Sequence, residues 1–124
     1  YQETEFMHRF KELKVWQKSM EITTRVYQLT EAFPSSERFG LTSQITRSAV
    51  SIPSNIAEGA GRNYNKEFNQ FLGISLGSSF ELETQLIIAQ NLSYISKEQL
   101  DLLSHNLIEI QSMIIGLQRS INKS

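Results

Sequence analysis

Apolar residues recur every three or four positions along most of the chain, and the last segment shows this most clearly. Its repeat positions are Leu100, Leu103, Leu107, Ile110, Ile114, Leu117 and Ile121. Such a seven-residue repeat is typical of a helix that packs lengthwise against other helices. Ser96 followed by Gln99 predicts a capping box at its start. Leu102, Ile108 and Ile115 fall outside the repeat and widen the apolar face beyond what one helix of a monomeric bundle needs.

The same pattern divides the whole chain into four helical segments. They cover roughly residues 9–33, 40–61, 65–92 and 97–121. Pro34 ends the first, because proline disfavours helix in the residue before it. That segment has two apolar stripes, one of which includes Val15 and Ile22, so we expect it to be buried on two sides. We therefore expect an all-α fold, an antiparallel up-down-up-down four-helix bundle, with residues 1–124 as a single domain.

The second segment contains the most distinctive stretch, Q-I-T-R-S-A-V-S-I-P-S-N-I-A-E-G-A-G-R from Gln44. Pro53 lies inside it and removes one backbone hydrogen bond, which predicts a helix that is kinked or split between residues 49 and 53. Gly59 and Gly61 are expected to end the helix.

A row of polar side chains follows one face of this second helix at spacings of three and four. It consists of Gln44, Ser48, Ser51, Asn55, Glu58 and Arg62, with Arg47 beside it. Glu58 and Arg62 can form an ion pair worth about 0.2–0.5 kcal/mol when exposed. The row is either a solvated face or a polar interface. Serine, asparagine and glutamine favour the interface, since a solvated face usually has more lysine and glutamate.

Small residues interrupt the middle of the third segment at Gly73, Gly77 and Ser78. Each glycine inside a helix costs about 1 kcal/mol relative to alanine. We therefore expect close helix packing here, because small residues let another backbone approach. A ligand pocket is the less favoured alternative. The G-S-S run lacks the Gly-Lys-Ser/Thr ending of a phosphate-binding P-loop.

The residues that could support catalysis are few. The chain has no cysteine, which excludes disulfides, thiolate nucleophiles and cysteine-based metal sites. His8 and His105 have no second ligand at metal-binding spacing, and the serines lack a recognisable base. We therefore expect a protein that is not an enzyme, with no cofactor, no metal and no small-molecule substrate.

Charge and hydropathy limit the partners. The chain has 12 basic and 13 acidic residues, a net charge of −1, which argues against a strongly basic nucleic-acid binder but leaves room for a local basic patch. No apolar run approaches the roughly 20 residues of a membrane-spanning helix, and the N-terminal residues do not form a secretory signal. We expect a cytoplasmic protein with no membrane partner.

Three runs of sequence connect the chain with a known family. They are F-K-E-L-K-V-W-Q from Phe10, F-P-S-S-E-R-F-G-L-T-S-Q-I-T-R-S-A-V-S-I-P-S-N-I-A-E-G-A-G-R from Phe33, and E-F-N-Q-F-L-G-I-S-L-G-S-S-F-E-L-E-T-Q-L from Glu67. They resemble the bacterial four-helix bundle proteins encoded in intervening sequences of large-subunit ribosomal RNA genes.

The resemblance implies an antiparallel bundle that assembles as a ring, commonly a homopentamer. The family is also similar to the accessory variability protein of diversity-generating retroelements, a pentamer that binds a reverse transcriptase and nucleic acid. Two positions depart from the family pattern. Thr46 stands where many members have a second basic residue beside Arg47, which weakens the expectation of RNA binding, and Ser75 stands where alanine is usual.

Two hypotheses follow for the function. The first is an oligomeric adaptor or binding module for RNA or for a nucleic-acid-processing protein. Its candidate contacts are Arg47, Arg62, Lys66, Lys11, Lys14 and Lys18. The second is a purely structural, self-assembling bundle without nucleic-acid binding, whose subunit interface uses the polar row, the small residues and the additional apolar positions Ile108, Ile115, Val15 and Ile22.

Overall fold

The computed structural model describes residues 9–123, so His8 lies outside the described residues. Four α-helices run from Lys14 to Thr30 (α1), Leu41 to Ala60 (α2), Asn65 to Asn91 (α3) and Lys97 to Asn122 (α4). Short 3₁₀ turns at Phe10–Glu12 and Ser35–Glu37 precede α1 and α2. Residues 9–123 contain no strand. The predicted all-α four-helix bundle is confirmed.

The first helix is shorter than its apolar pattern predicted. Leu13 has an extended backbone, with φ −71° and ψ 122°, between the 3₁₀ turn and α1. The apolar side chains of the turn still pack towards the bundle, and Phe10 meets Trp16 edge to face with ring centroids 5.3 Å apart. Periodicity therefore identified residues that join the core without showing which of them are helical.

All four helices contribute to one apolar core. Its fully buried side chains include Ile22, Ile45, Ile52, Leu72, Leu82, Leu107 and Ile114. Burying each of them contributes roughly 1.5–3 kcal/mol relative to leaving it exposed. Val15 and Ile22 of one α1 stripe belong to this core. The other stripe is not buried along its length, since Met20 and Tyr27 are exposed at 41% and 49%, so the expected burial of α1 on two sides is wrong for this part.

Side-chain contacts show in which direction, and in which register, neighbouring helices pack. Ser48 of α2 faces Gln85 of α3, whereas Ser75, ten residues earlier in α3, bonds to Ile52, so α2 and α3 run antiparallel. Helices α3 and α4 are also antiparallel, since Glu83 meets Gln111 whereas Asn69 meets Gln118. Helix α1 contacts α2 on one side and α4 on the other.

The proline of α2 does not split the helix. Helix α2 is continuous from Leu41 to Ala60 with Pro53 inside it, so the split alternative is wrong, and the kink stays a prediction. Pro53 has no N–H for the carbonyl of Ala49, four residues earlier. The Thr23 hydroxyl lies 3.1 Å from that carbonyl and shares its hydrogen with the Ser19 carbonyl. Helix α1 thus partly replaces the missing bond.

The glycines have roles that differ from those predicted. Helix α2 ends at Ala60 with Gly61 as its C-cap, as expected, but Gly59 lies within the helix and is buried. A Cβ at Gly59 would lie 2.7 Å from Cβ of Phe71 and 2.9 Å from Cδ1 of Phe68. Gly59 is therefore where α2 and α3 approach closely.

Of the three positions expected to pack closely, Ser78 is buried, and its hydroxyl lies 2.7 Å from that of Ser51 on α2. The close packing expected at Gly73 and Gly77 is not found between helices of this chain. Both glycines are exposed, and a Cβ at Gly77 would meet no described atom within 4 Å.

The start of α4 agrees with the sequence. The backbone N–H of Gln99 donates to Oγ of Ser96 at 3.0 Å, and the backbone N–H of Ser96 donates to Oε1 of the Gln99 side chain at 2.8 Å. The predicted capping box is therefore confirmed. Within residues 9–123, no helix combines the length and apolar character that crossing a membrane requires.

Candidate functional site

The polar row of α2 is divided between the inside and the outside of the bundle. Gln44 and Glu58, towards its two ends, are exposed, and the last member, Arg62, lies beyond the end of α2 and is partly exposed. In its middle, the buried Ser48 hydroxyl donates to Oε1 of Gln85 at 2.7 Å. Ser51, Asn55 and Ser78 form a second polar group, in which the two serine hydroxyls lie 2.7 Å apart and Nδ2 of Asn55 donates to Oγ of Ser51 at 2.9 Å. The middle of the row therefore joins α2 to α3.

Ser75 of α3 also joins α2 to α3 through a hydrogen bond, a role that sequence reasoning missed. Its buried hydroxyl donates to the Ile52 carbonyl at 2.9 Å. The carbonyls of Ala49 and Ile52 both belong to the helical turn that precedes Pro53. Each lies within hydrogen-bonding distance of a hydroxyl from another helix, Thr23 of α1 for Ala49 and Ser75 of α3 for Ile52. A serine placed in an otherwise apolar helical stripe was the signal that could have identified this contact.

The helix directions bring four chain segments to one end of the bundle. The Phe10–Glu12 turn packs on α2 beside the start of α1. Helix α2 ends and α3 begins there, and Gln118 near the end of α4 bonds to Asn69 near the start of α3. We call this the basic end and define it as residues 9–14, 58–67 and 118–123.

Basic side chains predominate at this end. It contains Arg9, Lys11, Lys14, Arg62, Lys66, Arg119 and Lys123, against the three carboxylates of Glu12, Glu58 and Glu67. Two of those carboxylates already have partners there. Arg9 pairs with Glu12 at 2.8 Å, and Arg62 pairs with Glu58 at 3.2 Å. Lys11, Lys14 and Lys66 are exposed and form no ion pair with another described residue.

The opposite end has the reverse balance. The segments 31–40 and 92–101 contain Arg38 and Lys97 against the carboxylates of Glu31, Glu37, Glu98 and Asp101. Positive charge is thus concentrated at one end of the bundle and negative charge at the other, and the net charge of the chain does not reveal this separation.

The six cations predicted as contacts do not all lie together. Lys11, Lys14, Arg62 and Lys66 lie at the basic end, where the Arg62 guanidinium also covers the Phe71 ring at 4.8 Å. Lys18 lies further along α1 and pairs with Glu109 of α4 at 3.0 Å. Arg47 is exposed near the middle of α2. Sequence reasoning missed Arg119 and Lys123, because only the register of α4 brings them to this end.

A second surface feature lies where α3 and α4 meet. Phe80 and Ile87 of α3 and Ile108 of α4 are exposed, at 49%, 43% and 54%, and Ile115 of α4 is half-buried. The Glu83–Gln111 bond of 3.2 Å places Phe80 near the level of Ile115 and Ile87 near the level of Ile108. We call these four residues the α3–α4 apolar face. The exposed Gly77 lies beside it on α3.

Comparisons with known proteins agree with the helical fold. The model of the 23S rRNA-intervening sequence protein family matches residues 11–116. The chain is also similar to a crystal structure of a protein with unknown function from the S23 ribosomal protein family of Bacteroides thetaiotaomicron VPI-5482. The two share 28% sequence identity with a TM-score of 0.79, over 85% of this chain and 95% of that one. No curated protein matches the chain.

Proposed function

The chain belongs to the 23S rRNA-intervening sequence protein family, and from that premise we propose that it is a non-enzymatic binding module that holds RNA at its basic end. The resemblance drawn from its motifs is confirmed at the level of the family. Neither the family nor the solved relative is described by an enzymatic activity.

The observation that carries the proposal is the separation of charge along the bundle. Helix α2 spans 20 residues, so the basic and acidic ends lie about 30 Å apart at 1.5 Å per residue. Exposed charges are largely screened beyond about 8–10 Å at physiological salt. A phosphate at the basic end is therefore attracted by the local lysines and is little affected by the distant carboxylates. The net charge of −1 is a poor guide to such a surface.

RNA binding at this end has a measurable electrostatic signature. Each neutralised phosphate of a single strand contributes about −0.7 to the slope of log affinity against log salt concentration. Three to five contacts give a slope of roughly −2 to −4. Fluorescence anisotropy of a labelled RNA oligonucleotide, titrated from low to physiological salt, measures this slope. The absence of salt-dependent binding at low salt would contradict the proposal.

Three lysines are the best positions for substitutions that test RNA binding. Lys11, Lys14 and Lys66 make no ion pair with another described residue, so Lys→Ala changes at these positions remove charge without breaking one. Each should weaken binding to all RNA sequences alike and reduce the salt slope by up to about one. By contrast, Arg62→Ala would also release Glu58 and uncover Phe71, so its effect is harder to interpret.

The remaining candidate cations provide controls for the position of the site. Lys18 and Arg47 lie towards the middle of the bundle, and we expect Lys18→Ala and Arg47→Ala to change RNA affinity less than Lys14→Ala does. Equal losses at all three positions would show that the bound RNA extends along the bundle.

The α3–α4 apolar face supports a second candidate function, which is self-assembly. It exposes Phe80 and Ile87 of α3 and Ile108 of α4 near the line where the two helices meet, and patches of exposed apolar residues commonly mark protein interfaces. We propose that this face joins copies of the chain, with the pentamer that the family resemblance implies as the expected state. A purely structural bundle would use this face and show no RNA binding.

Light scattering tests the assembly. A chain of 14.2 kDa that forms a pentamer has about five times that mass, and a monomer at micromolar concentration contradicts the assembly. Ile87→Glu should reduce the measured mass. Leu102→Glu is the matched control, because Leu102 is 54% exposed on α4 but borders Arg25 and Leu29 of α1 instead. An unchanged mass for Ile87→Glu would exclude the α3–α4 apolar face as the interface.

A further inference from the structure

One aromatic side chain at the basic end is largely exposed to solvent. Tyr64 lies in the short connection between α2 and α3, between Arg62 and Lys66 in sequence, and is 67% exposed. It is the N-cap residue of α3, with an extended backbone and no side-chain capping bond. Its ring makes no aromatic or cation–π contact with another described residue.

The other aromatic residues in or next to this end are at least partly buried, namely Phe10, Trp16, Phe68 and Phe71. Trp16 packs edge to face against Phe10, and the Phe71 ring lies beneath the Arg62 guanidinium. Only Tyr64 among them is exposed, so a planar ligand could stack on its ring. A tyrosine here contributes little to stability, because it buries only part of its surface.

An exposed ring with cations close to it in sequence is a combination found in proteins that bind single-stranded nucleic acids. Stacking on an aromatic ring needs an unpaired base, whereas the bases of a duplex are stacked inside the helix and their faces are covered. In such proteins, basic side chains near the ring bind the phosphates that flank the stacked base. A duplex offers the same phosphates but no free base, so it gains from the cations alone.

We infer that the basic end binds single-stranded RNA in preference to duplex, with a base stacked on Tyr64 and the neighbouring phosphates held by Lys66 and Arg62. This inference rests on the proposed RNA-binding function and adds the form of the RNA and the residue that selects it. Stacking tolerates every base, so we expect little dependence on sequence.

The test compares two forms of one RNA, an unstructured oligonucleotide and a duplex that contains it. Base stacking on an aromatic residue is worth enough that Tyr64→Ala should weaken binding of the single strand roughly tenfold. Duplex binding should change less than about twofold, because no base reaches the ring. Tyr64→Phe keeps the ring and should retain single-strand affinity. Tyr27→Ala, at a tyrosine 49% exposed on α1, is the matched control and should leave both affinities unchanged.

A spectroscopic signal separates stacking from a purely structural effect. Tyr64→Trp places a fluorescent indole at the site, and its emission should be quenched when the single strand is added, because a stacked base quenches indole fluorescence. The unsubstituted protein, whose only tryptophan is Trp16, gives the background signal.

The outcomes distinguish this inference from the function on which it rests. If neither form of RNA binds in a salt-dependent way, the proposed function fails, and the inference fails with it. If both forms bind equally and Lys66→Ala weakens both while Tyr64→Ala weakens neither, RNA binding stands and the stacking role of Tyr64 is overturned. Loss of single-strand binding in Tyr64→Phe as well as in Tyr64→Ala would show that the hydroxyl acts instead of the ring face.

Discussion

Replacing glycine with alanine should have opposite effects on stability at Gly59 and at Gly77. Gly59→Ala adds a methyl group that would lie 2.7 Å from Cβ of Phe71, 2.9 Å from Cδ1 of Phe68 and 3.2 Å from the Phe68 carbonyl oxygen. Favourable carbon–carbon contacts lie at about 3.5–4.0 Å, so α2 and α3 must move apart. Gly77→Ala adds its methyl group to open space on α3, where no described atom lies within 4 Å.

The sizes of the competing effects determine the signs. Overpacking a tight contact costs about 1–3 kcal/mol. Alanine gains at most about 1 kcal/mol over glycine within a helix, and less in the last turn, where Gly59 lies. Gly59→Ala should therefore lower the free energy of unfolding by roughly 1–2 kcal/mol. Gly77→Ala should raise it by up to about 1 kcal/mol, since only the gain in helix propensity applies.

Urea denaturation monitored by circular dichroism measures both variants at equal protein concentration. The two variants should differ by about 1–3 kcal/mol, so with an m-value of about 1–3 kcal/mol per molar urea their midpoints should differ by roughly 0.3–3 M, with Gly59→Ala the lower. If Gly59→Ala is as stable as the unsubstituted protein, α2 and α3 are not packed as tightly as described. If Gly77→Ala is the less stable variant, Gly77 contacts another backbone, and the close packing occurs between chains.

Three other substitutions test single contacts. Ser75→Ala removes the buried bond to the Ile52 carbonyl and should lower the free energy of unfolding by about 0.5–1.5 kcal/mol in urea denaturation; an increase in stability would mean that burying the hydroxyl costs more than its bond contributes. Ser96→Ala removes the α4 capping box and should cost about 1 kcal/mol in the same assay, and no loss would show that the cap is replaced. Tyr94 donates to Oε2 of Glu37 at 2.8 Å, and this bond raises the pKa of Tyr94 above its ordinary value of 10.0, so the folded chain keeps a proton that the unfolded chain loses. The resulting stabilisation should be complete below pH 10 and be lost as pH rises through the raised pKa, and urea midpoints between pH 8 and pH 11 should fall less in Tyr94→Phe; equal falls would contradict the assignment.

The parts of the fold that depend on local pattern could be predicted from the sequence. The seven-residue repeat identified α4, and the Ser96–Gln99 pair identified its start, because a capping box is formed within four residues of chain. The start of α1 was placed too early, since Leu13 is apolar and in phase with the helix but has an extended backbone. Periodicity reports which residues are buried, and it reports backbone conformation only indirectly.

The parts that depend on tertiary register could not be predicted. The α2 polar row looked like an interface because its partners, Gln85 and Ser78, lie in another helix and cannot be matched to it from sequence. Gly59 was interpreted as a helix stop because its close contacts with Phe68 and Phe71 of α3 cannot be identified from the sequence either. The basic end is formed by the register of all four helices, and the net charge concealed it.

The charge of the two bundle ends tests the proposed RNA-binding function most directly. Lys66 and Lys97 are both exposed lysines in the first turn of a helix, α3 and α4 respectively, but they lie at opposite ends. Glutamate is favoured at both sites, because both lie at a positive helix end. Lys97→Glu also removes an exposed ion pair, in which Nζ of Lys97 lies 3.1 Å from Oδ2 of Asp101, and such surface pairs are worth only about 0–1 kcal/mol.

RNA affinity should therefore be measured for Lys66→Glu and Lys97→Glu at low salt. A lysine–phosphate contact near 4 Å is worth about 1 kcal/mol in water, so its reversal changes binding by about 2 kcal/mol before screening. We expect Lys66→Glu to weaken RNA binding by roughly tenfold and Lys97→Glu to leave it nearly unchanged. Equal effects of the two substitutions would contradict a binding site at the basic end.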